Sequence, residues 1–396
     1  MSELLPIAEA YRLIDTHISE LGSVRLRLQQ AIGCLLREDI LADQDDPAFD
    51  RSAMDGFVVT KETGYKRGQS WELIDEIQPG DRQQVTLNME QCAKIFTGAR
   101  VPKNTHVIKK EDVKLENNKV VLCEVDKTNH IRAKASQARQ GDLLLKKGHE
   151  LQAIELSICA SVGMTNPLVS KRPRVIHVAT GNELVDPNEE PNETQIRDSN
   201  SILLEAFLKK SGAQLVQQTR LKDDLEVAMK RCFDLPDFDL ILFSGGASVG
   251  DYDIGRPLLE KMGFSIHFSR LNLRPGKPTI FGTRGKQAAF VVPGNPVSHV
   301  IVYQRLVRRA LMCMQGKSTD LEIARATLLL DIPEWLGKRL TFNPAVFSFD
   351  GGKGVVRPIM WSHSGDLGAL AGMNAMIACD PKKLPKVGEK VMVELL

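Results

Sequence analysis

Several short segments of this chain combine glycine or proline with charged and hydroxyl side chains. That mix lets a backbone come close to a ligand while donors and charges face it. The richest is Ser244-Gly245-Gly246-Ala247-Ser248-Val249-Gly250-Asp251-Tyr252-Asp253. Gly245, Gly246 and Gly250 turn amide N–H groups inward as an anion nest, Ser244 and Ser248 add donors, and Asp251 and Asp253 are suited to Mg²⁺ bridging phosphates. It is neither the dinucleotide fingerprint nor the P-loop, so by itself it also reads as a tight turn that needs glycine. Leu273-Arg274-Pro275-Gly276-Lys277-Pro278 sets two cations on a rigid turn, for a phosphate or oxyanion or simply for solvent. Val292-Pro293-Gly294-Asn295-Pro296-Val297-Ser298 leads into a helix whose first N–H groups attract anions, unless Asn295 merely caps it.

Far from these lies Asp50-Arg51-Ser52-Ala53-Met54-Asp55-Gly56-Phe57, whose Asp55-Gly56 is by default an ordinary turn pair. Thr97-Gly98-Ala99 and Thr180-Gly181-Asn182-Glu183 are small-residue loops after strands. Together Asp55, Glu183, Asp224 (or its neighbour Asp223) and Asp253 supply carboxylates, and Arg51, Arg274 and Lys277 supply cations. That is the inventory of metal-assisted phosphoryl chemistry.

The elements that must carry these loops change along the chain. Residues 6–33 read as helical, with Ile7, Ala10, Tyr11, Ile14 and Ile18 at helical spacing and a second short helix through Leu26, Leu28, Ala31 and Ile32. Residues 71–130 show short strand patterns separated by turns such as Pro79-Gly80 and Asn117-Asn118, and residues 150–163 return to helix. From Pro173, apolar strands alternate with helices, the pattern of a parallel sheet covered on both faces, with binding loops at the carboxyl ends of its strands. Residues 320–396 are strand-like again and predict a small barrel. The expected architecture is multidomain α/β. A helical and linker domain covers 1–44 and 130–172, an inserted β domain 45–129, a central three-layer α/β domain 173–315, and a C-terminal β-barrel domain 316–396.

The chain has 396 residues, enough for two to four domains, and a formal charge of +2 from 52 basic and 50 acidic residues. That balance argues against a dedicated nucleic-acid binder. The seven cysteines are scattered and form no CxxC pair, as expected of buried thiols in a reducing compartment. The N-terminus lacks a secretory pattern and no apolar run is long enough for a membrane helix, so a cytoplasmic location is expected.

The chain resembles the molybdopterin molybdotransferase family and the C-terminal domain of gephyrin. The marks are Phe49–Phe57, Phe96-Thr97-Gly98-Ala99, Thr180–Leu184, Ser244–Gly250, Arg274–Pro278 and Pro293–Ser298, all in the family's order. The resemblance implies a central domain like the molybdopterin adenylyltransferase, and a homodimer whose inserted β domain completes the partner's cleft. It implies adenylylated molybdopterin and molybdate as substrates, Mg²⁺ as cofactor, AMP as product, and transient contact with the adenylyltransferase and with downstream cofactor-processing proteins. Carried over residue by residue, Asp55, Lys277 and Arg274 are the catalytic set. Thr97, Glu183, Asp224, Ser244, Gly245, Gly246, Ser248, Gly250, Pro293, Pro296 and Ser298 contact substrate, and Asp253, Asp55 and Glu183 hold the metal. Three features depart from the family: Arg51 stands where asparagine is common, Arg274 where lysine is common, and the segment from Ser362 to Gly368 matches loosely. The rival readings are the adenylylating enzyme of the same pathway, a nicotinamide-nucleotide-processing protein, a scaffold protein and a tungsten-handling paralogue.

Overall fold

The computed structural model describes residues 4–61, 64–82, 85–222, 225–233, 235–246, 255–332, 339–380 and 382–396. The chain divides into two compact units. One comprises residues 1–24, 33–35 and 169–396; the other comprises 25–32 and 36–168.

The larger unit is built on a six-stranded sheet in the order Gln214–Leu221, Arg174–Thr180, Leu240–Ser244, Gln287–Val292, Ile280–Arg284, Ser265–Phe268. The first four strands are parallel, and the last two join antiparallel. The sheet is therefore mixed rather than purely parallel. The Gly285-Lys286 turn, with Gly285 at φ 57°, leaves room only for a hairpin at that edge.

Strand alternation sorts the core into two layers. Val175, Leu240, Leu242, Ala288 and Phe290 face one layer, covered by the helices Ile7–His17, Ser199–Lys210 and the helical run from Pro296 to Gln315. Ile176, Val178, Ile241, Phe243, Ala289 and Val291 face the other, covered by Leu225–Phe233 and Gly255–Lys261. The three-layer arrangement follows from apolar residues on both faces of each central strand.

Five further strands, Ile323–Leu328, Leu340–Asp350, Lys353–Pro358, Ala375–Cys379 and Lys390–Leu395, close into a barrel because Leu340–Asp350 pairs with both Lys353–Pro358 and Ala375–Cys379. The short strand Leu273-Arg274 pairs with Leu340-Thr341, tying the loop that carries Arg274 and Lys277 to the barrel.

The smaller unit holds a six-stranded sheet ordered Thr105–Lys109, Gly56–Thr60, Gln91–Ile95, Ser70–Ile77, Lys119–Leu122, Val113–Glu116. Ile40-Leu41 pairs with Leu143–Leu145, and Arg51-Ser52 with Ile131-Arg132.

Two further expectations differ from the structure. The helix predicted over 6–33 stops at His17; Ser23–Arg25 is a strand and Leu28–Gln30 a single 3₁₀ turn. Gly22 at φ 70° marks the break. The N-terminal helix also does not belong to a helical domain shared with 130–172. Ala10 and Ile14 are buried in the first layer of the α/β unit, Arg305 Nε donates to the Tyr11 hydroxyl at 2.6 Å, and Arg309 pairs with Asp15 at 2.6 Å. Residues 130–168 contribute short strands and the Ala153–Ser161 helix to the smaller unit. An amphipathic periodicity names the buried face of a helix but not the surface that receives it.

Candidate functional site

Three of the sequence-marked loops converge at the carboxyl ends of the central strands. They line a cleft of about 640 Å³. Thr180, Gly181 and Glu183 enter from the first strand, Ser244, Gly245 and Gly246 from the next, and Pro293, Gly294, Asn295 and Pro296 from the third. Pro278 lies on the same wall.

Glycine is required where these loops meet. Gly245 sits at φ 90°, and a Cβ there would lie 2.4 Å from the Thr180 carbonyl oxygen. A Cβ on Gly294 would lie 3.6 Å from the Gly245 Cα, so the two turns are separated by little more than the space of one added carbon. The exposed Glu183 carboxylate folds back over Gly181, where an added Cβ would be 2.8 Å from its Oε1. Not every amide in the nest is free: the Gly245 N–H donates to the Val292 carbonyl at 3.1 Å.

The helix after Pro296 departs from expectation in a similar way. Its Val297 N–H donates to the Ser364 carbonyl at 2.9 Å, so that amide is spent on the fold. Ser298 is buried inside the helix rather than on the cleft wall. Ser248, Gly250 and Asp253, together with Asp224 and its neighbour Asp223, lie outside the described residues.

Other cleft residues carried no site signal in the sequence. Arg197, Asp198, Ser199 and Asn200 line it at the start of a helix, where Asp198 caps by accepting from Ser201 N–H at 3.0 Å. Asn200 Nδ2 donates to the Gly294 carbonyl at 2.5 Å, joining this helix start to the proline loop. Gly365 and Leu367 come from the barrel, and Asn295 Nδ2 reaches Ser364 Oγ at 2.9 Å. The loosely matching segment from Ser362 to Gly368 thus does reach the cleft. Asp198-Ser199-Asn200 has the side chains of a helix cap, and only packing makes it a wall of the cleft.

Arg274 and Lys277 are half-buried on the loop that contributes Pro278. Gly276 lets this loop press on the Pro296–Val302 helix, for a Cβ there would lie 2.7 Å from Val302 Cγ2. Arg339, which sequence reading passed over, donates from Nη1 to the Leu273 carbonyl at 3.1 Å. Burial, and then the neighbouring Arg274 charge, pulls its pKa below the usual arginine value. Two guanidinium groups held close together are a natural receptor for an oxyanion.

Beneath the cleft floor, His177 is completely buried and its Nε2 lies 2.6 Å from Ser244 Oγ. His299, equally buried, faces the Pro293 carbonyl without closing a hydrogen bond to it. Burial, with a smaller repulsion from His299, pushes His177 down to about 3, and burial pushes His299 down to about 4. Both rings are therefore neutral at physiological pH.

In the smaller unit, two other marked residues come together across 42 positions. Asp55 Oδ1 accepts from the Thr97 backbone N–H and from Thr97 Oγ1, both at 2.9 Å. Lys110 Nζ stands 3.7 Å from Asp55 Oδ2. The Thr97 N–H, then its hydroxyl, then Lys110 hold the carboxyl below the usual carboxylate range, so Asp55 is ionised. The backbone supports this pairing: Ser52 N–H donates to the Ala99 carbonyl and Gly98 N–H to the Ser52 carbonyl. Gly56 is obligatory, since a Cβ there would fall 2.0 Å from the Ile108 carbonyl oxygen. Among the described residues, no group of three or more His, Cys, Asp or Glu side chains is placed to hold a metal ion.

Residues 5–163 match the MoeA N-terminal region (domains I and II), and residues 176–312 match the probable molybdopterin binding domain. The molybdopterin molybdenumtransferase of Staphylococcus epidermidis is 28% identical over 385 residues, covering 94% of this chain and 91% of its own. That of Synechocystis sp. is 28% identical over 382 residues, covering 94% and 95%. The crystal structure of the molybdopterin biosynthesis moeA protein from Pyrococcus horikoshii OT3 superposes with a TM-score of 0.76 at 27% identity over 100% of both chains. With both sequence regions in order, relatives matched nearly end to end and the marked loops gathered at the strand ends, the chain belongs to the MoeA family of molybdopterin molybdenumtransferases.

Proposed function

We propose that this protein inserts molybdenum into adenylylated molybdopterin, taking molybdate as the metal substrate and releasing AMP. The observation that carries the reading is the convergence of the Thr180–Glu183, Ser244–Gly246 and Pro293–Pro296 loops on one cleft at the strand ends. Such a cleft suits a phosphorylated heterocycle: glycine turns admit the ligand, Ser244 supplies a donor and proline walls are rigid. Arg274 and Lys277, on the loop that brings Pro278 to the cleft, and Arg339 beside Arg274 supply positive charge next to it, as an oxyanion or phosphate requires.

Cleaving a phosphoanhydride needs charge neutralisation and an oriented nucleophile. Mg²⁺ would supply charge neutralisation at the phosphates. It commonly binds through one or two carboxylates plus phosphate oxygens, and the exposed Glu183 carboxylate on the cleft fits that mode. Asp55, fixed by two bonds from Thr97, keeps one oxygen of its carboxylate directed by Lys110 and available for positioning water or molybdate. The working form in this reading is a cytoplasmic homodimer with clefts shared between subunits. No helix among the described residues is long and apolar enough to cross a membrane.

The test incubates the full chain with adenylylated molybdopterin, Mg²⁺ and either molybdate or tungstate, and measures AMP. Molybdate-dependent release with metal-loaded pterin is expected; release with neither oxyanion sinks the reading, and preference for tungstate reassigns the metal. Asp55→Asn should slow turnover at least tenfold, by weakening an ionic interaction of about 1.4 kcal/mol or more, without lowering the melting temperature. Wild-type turnover in that variant would remove Asp55 from the site.

A further inference from the structure

The buried His177–Ser244 pair is not explained by packing. Strand alternation places His177 on the same face as Val175, in a layer whose core cluster is apolar and whose other buried imidazole close to it is His299, so an apolar side chain would serve the core better. Its register partner on the neighbouring strand is Leu242, and Ser244 follows two residues later on the same face. Ser244 is the last residue of its strand and lines the cleft. One ring nitrogen thus lies under the point where the glycine turn begins, 2.6 Å from the Ser244 hydroxyl oxygen.

The direction of this bond follows from the other nitrogen. His177 Nδ1 is buried and has no partner among the described residues. An orphaned buried N–H is rarer and costlier than an under-used acceptor. The favoured tautomer therefore carries its proton on Nε2 and donates it to Ser244 Oγ. The Ser244 oxygen is then an acceptor towards the core, and its own proton is free to point into the cleft. With the opposite tautomer, the serine proton would be consumed by the histidine and the cleft would face only lone pairs, which repel an anion.

We infer that His177 is a positioning residue that orients the Ser244 hydroxyl as a hydrogen-bond donor to an anionic phosphate oxygen bound in the cleft. This rests on the reading of the cleft as a site for an adenylylated ligand. His177 touches no ligand and acts only through Ser244. A glutamine side chain, whose amide N–H can occupy the place of Nε2–H, should preserve the arrangement; leucine, of similar bulk and without a donor, should not.

The test titrates AMP into the full chain by calorimetry, for the parent and for His177→Leu, His177→Gln, Ser244→Ala and the double variant His177→Leu/Ser244→Ala. Ser244→Ala and His177→Leu should each weaken AMP about tenfold, the effect of losing one hydrogen bond to a charged acceptor. The double variant should be no weaker than Ser244→Ala, and His177→Gln should lie within about twofold of the parent. Rescue by glutamine separates positioning from simple core filling, which leucine would satisfy. Should His177→Leu fail to fold, Ser244→Ala and His177→Gln still decide. Unchanged AMP affinity in Ser244→Ala, loss of affinity in His177→Gln, or multiplying effects in the double variant overturns the inference alone. A parent that binds no AMP overturns both it and the reading of the cleft.

Discussion

The two buried imidazoles make stability depend on pH between about 7 and about 5. His177 is held down at about 3 and His299 at about 4, against an ordinary value of 6.5, because burial penalises the charged ring. Since the folded-state pKa is depressed, the unfolded chain binds more protons between these limits. The contribution is complete above the unfolded value and is lost as pH falls through 6.5 towards the folded values. From about pH 7 to about pH 5 the unfolded imidazole gains about three-quarters of a proton while the buried one gains almost none, which integrates to about 2 kcal/mol per ring and about 4 kcal/mol for the pair. The assay is urea unfolding followed by far-ultraviolet circular dichroism, whose helical signal arises mainly from the α/β unit. His177→Gln should lose about 2 kcal/mol less than the parent over the same pH interval, or roughly 1 M in midpoint at an m-value near 2 kcal/mol/M. The comparison cancels His106 and His267, which burial also pushes down, and carboxylates such as Asp55 that titrate lower still. Equal losses in parent and variant would refute the claim that His177 is neutral because it is buried.

Two further outcomes test the framework around the site. Gly56→Ala should abolish soluble expression or cost more than about 3 kcal/mol in the smaller unit, because the backbone of Ile108 blocks the new methyl group; a protein with parental melting temperature would contradict that close approach. Glu394→Gln should cost about 3 kcal/mol by leaving the Arg305 guanidinium buried without its counter-charge, measured as a lower urea midpoint, and an unchanged midpoint would show that Tyr11 and Phe342 suffice to hold that charge.

Much of the architecture was legible because it depends on local pattern. The continuous apolar strands from Arg174 onward could be stable only between two layers of helix, and Val175 and Ile176 indeed supply one residue to each. The glycine turns were visible as candidate loops because their residue types are rare outside special backbone conformations. The N-terminal helix was misplaced because Ala10 and Ile14 define an apolar stripe without naming the surface it covers. Nothing in the local pattern around Gly365 distinguishes a cleft residue from an ordinary barrel residue, and nothing around Arg339 announces its approach to Arg274.

The sequence by itself determined which residues could do the chemistry and the order of the elements that bear them, since both are properties of side-chain type and short-range periodicity. Tertiary structure decided which of those residues meet. It joined Asp55 to Thr97, seated Ser244 on a buried histidine, buried Ser298 and brought the barrel's Gly365 and Leu367 to the cleft. The reason is physical: distances between residues far apart in the chain are set by strand register and close packing, and no short window of sequence contains either.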